Sequence, residues 1–236
     1  MGWTFYNASG EALTSFGPVA LGDIDIDGGT DIGAAIVDAD LFIVDDGAGG
    51  TNRKTAASRL KTYIGGLVLI NTAAASDSAS LTITGLDSTY DTYLITGADL
   101  RPASDDPRSY IRLGDSSGID SGASDYGWHS SIFTASSASY SAEVDASAAQ
   151  IQLAAGVGNA TGEGSGFALW LHCPGDSLTR PIISGTHIFY NSSTAIKGGV
   201  TIAERTAVIA VDRVQFFFSS GNISTGRLTV WGLAHA

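Results

Sequence analysis

The chain of 236 residues holds a single cysteine, Cys173, so no disulfide can form within it. Its longest apolar run, near residues 65–70, falls far short of the roughly 20 residues that a membrane-spanning helix needs. Basic residues are also few: 12 Lys and Arg stand against 24 Asp and Glu, for a net charge of −12. Such a surface repels phosphate backbones and anionic headgroups, so neither nucleic-acid binding nor membrane insertion is expected. Met1-Gly2-Trp3 lacks the basic start and apolar stretch of a secretory leader.

What the chain has in excess is glycine, at 30 residues, alongside 44% hydrophobic and only 15% charged residues. That much glycine disfavours helical bundles and solenoids, because each interior glycine costs a helix about 1 kcal/mol relative to alanine. A mean hydropathy of +0.15 argues for a packed core and against disorder. The length suits one domain of ordinary size, or a small module joined to a larger one.

Along the chain, Gly2-Trp3-Thr4-Phe5-Tyr6 reads as a short strand running into an Asn/Ser/Gly turn. Its three aromatics need a surface to cover them, on another chain or on this one. Asp23, Asp25, Asp27 and Gly28 imitate the start of a calcium loop, but the twelfth position is Ala34 rather than a bidentate glutamate. Ile24 and Ile26 fit a half-buried strand with an acidic outer face better. Residues 41–46 form a compact strand, residues 47–50 a turn, and residues 51–56 a return strand carrying Arg53 and Lys54 opposite Asp45 and Asp46. Ser58 then caps a short helix over 59–64, closed by Gly65-Gly66.

Beyond Gly65-Gly66 and the Ala/Ser-rich residues 72–80, the strong segments alternate as strands: 81–84, 93–96, 110–113, 167–173, 213–218 and 227–233. A long serine-rich loop is expected over 115–140. The fold expected is mainly β: an N-terminal docking segment (1–22), a small ββα attachment and trimerisation module (23–66), and an antiparallel, jelly-roll-like β-sandwich (67–236).

Residues 25–63, DIDGGTDIGAAIVDADLFIVDDGAGGTNRKTAASRLKTY, resemble a module common in bacteriophage tail fibres and related virion proteins, especially of aquatic phages. The second half is similar to the distal domain that often follows it, through Gly97-Ala98-Asp99-Leu100-Arg101-Pro102-Ala103, Ser121-Gly122-Ala123-Ser124-Asp125-Tyr126-Gly127-Trp128 and the ending Phe218-Ser219-Ser220-Gly221-Asn222-Ile223 with Val230-Trp231-Gly232-Leu233. The resemblance implies a trimeric structural protein of the virion, docked on other particle proteins through its N-terminal part and facing the host with its sandwich. Trp3, Phe5 and Tyr6, with Phe42, Arg53 and Lys54 of the hairpin, are then the candidates for docking and assembly. The long shaft of a typical fibre is missing, which leaves a short fibre, a tail-tip component and a capsid spike or decoration all open.

Enzymatic signatures do not hold together. Gly175-Asp176-Ser177-Leu178 spells the block of the GDSL hydrolases, but it sits late in the chain and no Asp precedes His187 or His235 by three residues. With many aspartates and four glutamates, no carboxylate pair stands out for glycoside cleavage. His129, His172, His187 and His235 lack ligand spacing, so no metal or cofactor is expected. Recognition of a host-surface glycan or protein remains. Asp125, Tyr126, Trp128 and His129 have the make-up of a sugar-binding loop, and Arg101, Asp105, Asp106 and Arg108 form a second polar loop. In the alternative, Tyr126 and Trp128 plug the sandwich end or a subunit interface, and Arg101 and Arg108 pair with neighbouring aspartates.

Overall fold

In a computed structural model of the chain, the structure describes Ser9 and residues 33–45, 52–63, 66–176 and 178–234. Trp3, Phe5, Tyr6 and the Asp23-Asp25-Asp27 stretch lie outside the described residues. The chain divides into two compact units, Met1–Ala57 and Ser58–Ala236.

In the first unit, β1 (Leu41–Asp45) pairs antiparallel with β2 (Asn52–Ala56). Phe42 and Val44 are half-buried while Leu41 and Ile43 are exposed, so one face of the hairpin is the drier one. That facing sets the register: Arg53 lies opposite Val44 and Lys54 opposite Ile43, not opposite the aspartates. Exposed charge pairs are worth at most about 1 kcal/mol and do not override the facing of apolar side chains. The helix α1 (Ala57–Tyr63) starts two residues earlier than its cap signal suggests. The Ala57 N–H donates to the Asp40 carbonyl at 2.8 Å, which leads β2 straight into the helix and leaves Ser58 inside the first turn.

The second unit is a two-layer antiparallel β-sandwich. Its smaller sheet runs β10 (Ile151–Ala154), β6 (Ser109–Asp115), β14 (Arg213–Phe218), β4 (Leu81–Thr84), with β7 (Gly118–Ile119) paired to β6. The larger sheet has eight strands in the order β3 (Gly66–Ala74), β15 (Ile223–Ala234), β5 (Thr92–Pro102), β11 (Ser165–His172), β12 (Ile182–Tyr190), β13 (Ile196–Arg205), β8 (Tyr126–Thr134), β9 (Ser139–Ala148). Period-2 alternation buries Leu81 and Ile83, Ile111 and Leu113, Val214, Phe216 and Phe218 from one sheet. Tyr93, Ile95, Leu169, Leu171, Leu228 and Val230 answer from the other. Phe167 and Phe216 meet across the layers with ring centroids 5.6 Å apart. These side chains form one continuous core, and its burial is the main force holding the two sheets together.

The residues expected as a loop, 115–140, instead hold β7, β8 and the start of β9. Tyr126, Ser130 and Ile132 alternate into the core, and the buried Ser130 hydroxyl is satisfied by the Leu153 carbonyl at 3.2 Å. Serine therefore occupies an inward position without an unmet polar group, which hides the strand from a reading of hydrophobicity. Likewise the start of the Ala/Ser-rich stretch over 72–80 lies in β3.

Candidate functional site

At the β9 end of the sandwich the small sheet stops short of the large one. Glu143 and Asp145 of β9 take inward positions that the small sheet does not cover. The result is a cleft of about 330 Å³ lined by Arg108, Tyr110, Trp128, Asp145, Ser147, Gln150 and Gln152, with Ala123 and residues 148–149. Arg108 Nη1 donates to Glu143 Oε2 at 2.9 Å and to Gln152 Oε1, while Gln152 Nε2 donates to the same Glu143 oxygen. Both partners of the Arg108–Glu143 pair keep substantial exposure, so solvent screens it and it positions the side chains more than it stabilises the fold. Arg112 braces two of the lining residues, Ala149 and Gln150. It donates to the Ala149 carbonyl at 3.0 Å and to Gln150 at 2.9 Å, and its guanidinium lies 4.6 Å from the centre of the Phe217 ring. Trp128 packs against the core and leaves its Nε1 buried without a hydrogen-bond partner.

This arrangement has aromatic surface from Tyr110 and Trp128 beside donors and acceptors from Arg108, Asp145, Gln150 and Gln152. It can hydrogen-bond a polar neutral molecule while covering an apolar face of it. Glu143 is engaged by two donors, and no described residue places a base against a nucleophile in the cleft.

Of the residues singled out from the sequence, the structure brings Arg108 and Trp128 together here. The others go elsewhere. Tyr126 is fully buried and so presents no face to a ligand. Its hydroxyl accepts from the Leu113 N–H at 2.9 Å and is also within bonding distance of the Leu113 and Asp120 carbonyls. Burial drives its pKa upward. Asp125 pairs with Arg205 Nη2 at 3.1 Å, and Arg205 Nε bonds Asp120 at 2.8 Å. Arg205 is only 8% exposed, so these bonds fasten the turn ahead of β8 to the sheet. His129 follows Trp128 and so points to the opposite face, where its Nε2 lies 3.3 Å from Ser131 Oγ. Arg101 at the end of β5 donates to Ser224 at the start of β15, while Asp105 accepts from the Asn159 N–H and Asp106 from Ser192 between strands, all apart from the cleft lining. Asp145, Gln150 and Gln152 carried no sequence signal, because an edge strand and a tight turn bring them to Trp128. In the first unit, Phe42 is half-buried and Arg53 and Lys54 are exposed on the hairpin.

Residues 174–175 form a turn, and Asp176 accepts from the Leu178 N–H at 2.7 Å. Among the described residues no group of three or more His, Cys, Asp and Glu is placed to hold a metal ion. Comparison with protein-family models, curated proteins and solved structures gives no match.

Proposed function

We propose that the chain is a non-enzymatic structural protein of a bacteriophage particle. It is a short tail fibre or receptor-binding protein, works as a homotrimer, and contacts carbohydrate on the host surface through the cleft beside β9. The resemblance of residues 25–63 to virion modules supports the particle, and the cleft supports the ligand class. Tyr110 and Trp128 supply ring surface next to Arg108, Asp145 and two glutamines, the pairing that a sugar ring with one apolar face requires. The N-terminal aromatics and the hairpin with Phe42, Arg53 and Lys54 would dock on other virion proteins.

A second reading, a capsid spike or decoration protein, draws support from the exposed apolar outer face of the large sheet, since a shell component needs contacts between proteins rather than a ligand. A depolymerase is disfavoured by the engagement of Glu143 with Arg108 and Gln152. Gold-labelled antibody on whole particles tests the first reading against the second: label on the tail is expected, and label over the head overturns it. Release of reducing ends from host envelope polysaccharide would contradict the non-enzymatic assignment.

A further inference from the structure

The eight-stranded sheet has a second face, turned away from the core, and that face is apolar where a solvated sheet face would be polar. Phe133, Tyr140, Val144, Ile188, Val200 and Ile202 stand there, each between 46% and 70% exposed. The register puts them on one side: Phe133 lies opposite Tyr140 and Gly198, His129 opposite Val144 and Ile202, and Ile188 opposite Gly198. Applied to ordinary residue areas, the exposures of these six residues amount to about 700 Å². That exceeds the few hundred Å² a monomer usually leaves in one patch and approaches the about 800 Å² per partner of a standard interface.

The charge distribution says what covers it. The chain carries −12 overall. Yet among the described residues the outward positions from β11 to β9 hold a single formal charge, Glu204, and Arg180 pairs with it at 3.1 Å. Two like-charged copies repel over every acidic surface, and this neutral face is where they can meet. A basic partner would be drawn to the acidic surfaces instead. The face is also self-complementary in shape. Phe133 and Tyr140 project as a pair with ring centroids 5.3 Å apart, and beside them runs a depression of about 690 Å³ floored by Gly166, Ala168 and Gly198.

We propose that the outer face of the eight-stranded sheet is where copies of this chain pack against one another, aromatic pair into glycine-floored depression. The proposal rests on the reading of the chain as a self-assembling particle component and names the surface that does it. It does not depend on what the cleft binds.

Sedimentation velocity of the full chain tests it. The wild type is expected to sediment as an oligomer. The double variant Ile188→Glu/Ile202→Glu, and separately Phe133→Glu, are expected to fall to the mass of a single 24.2 kDa chain. Their melting temperatures should stay close to that of the wild-type sheet, because the replaced side chains point away from the core. Leu178→Glu, on a side chain 88% exposed outside the strands, should leave the oligomer intact. An oligomer that survives both sheet variants overturns this surface while leaving the homotrimer standing. A monomeric wild type overturns both, whether its face binds an apolar dye, as a free surface would, or excludes it, as one covered by another part of the chain would.

Discussion

At the scale of single residues, the buried polar groups decide more than the exposed ones. Removing the Tyr126 hydroxyl as Tyr126→Phe strands the Leu113 N–H, so it should cost about 1–3 kcal/mol in urea unfolding without changing ligand binding at the cleft. Arg205 holds both Asp120 and Asp125, and Arg205→Met leaves two partly buried carboxylates without their cation; unfolding should become easier by about 3 kcal/mol or more. His187 is a third case. It bonds Thr201 through Nδ1 at 3.2 Å, its Nε2 is buried without a partner, and burial lowers its pKa from 6.5 to about 4. The folded chain therefore resists a proton that the unfolded chain accepts. Its contribution to stability is complete above pH 6.5, declines as pH falls from 6.5 towards 4, and changes no further below that. The loss over that window reaches ~3 kcal/mol at most. Denaturant titrations at several pH values should show the slope in the wild type and its disappearance in His187→Gln.

At the scale of elements, the backbone leaves little latitude where strands bend. In β15 the pairing with β5 shifts between Thr225 and Arg227, at Gly226, whose φ is 119° and whose missing Cβ would sit 2.6 Å from the Asp99 carbonyl oxygen. Gly226→Ala combines a disfavoured conformation with a backbone clash, and thermal melts should show it destabilised by well over 1 kcal/mol. Such positions also explain which strands the sequence discloses. β4 and β14 match the segments read from alternation because all their outward positions but Phe217 are polar, as with Thr82, Thr84, Arg213 and Gln215. β12 and β13 escape that reading, since Ile182, Ile188, Val200 and Ile202 on the outer face break the contrast between the two sides. β8 and β9 escape it for the opposite reason, serine and alanine having too little hydrophobicity to mark a face. The cleft was legible only in Trp128 and Arg108. Asp145 and the two glutamines reach it through the pairing of β8 with β9 and of β10 with β6, long-range contacts that no local pattern encodes.

At the scale of the whole molecule, acidity and neutrality are divided between surfaces. The chain carries −12 overall, while among the described residues the outer face of the large sheet from β11 to β9 holds one formal charge, Glu204, and the cleft is lined by polar and aromatic side chains. The central claim is that the cleft is a recognition site and not a structural leftover, and Trp128 offers a local reporter of it. In nuclear magnetic resonance spectra of the nitrogen-labelled full chain, the Trp128 indole N–H signal can be assigned by its loss in Trp128→Phe. Titration with a panel of neutral bacterial-surface oligosaccharides is expected to shift that signal saturably for at least one of them. The shift should be weakened at least tenfold in apparent affinity by Arg108→Ala and by Asp145→Ala. An indole signal that stays fixed across the panel, or shifts equally well in both variants, would contradict the assignment of this cleft to carbohydrate.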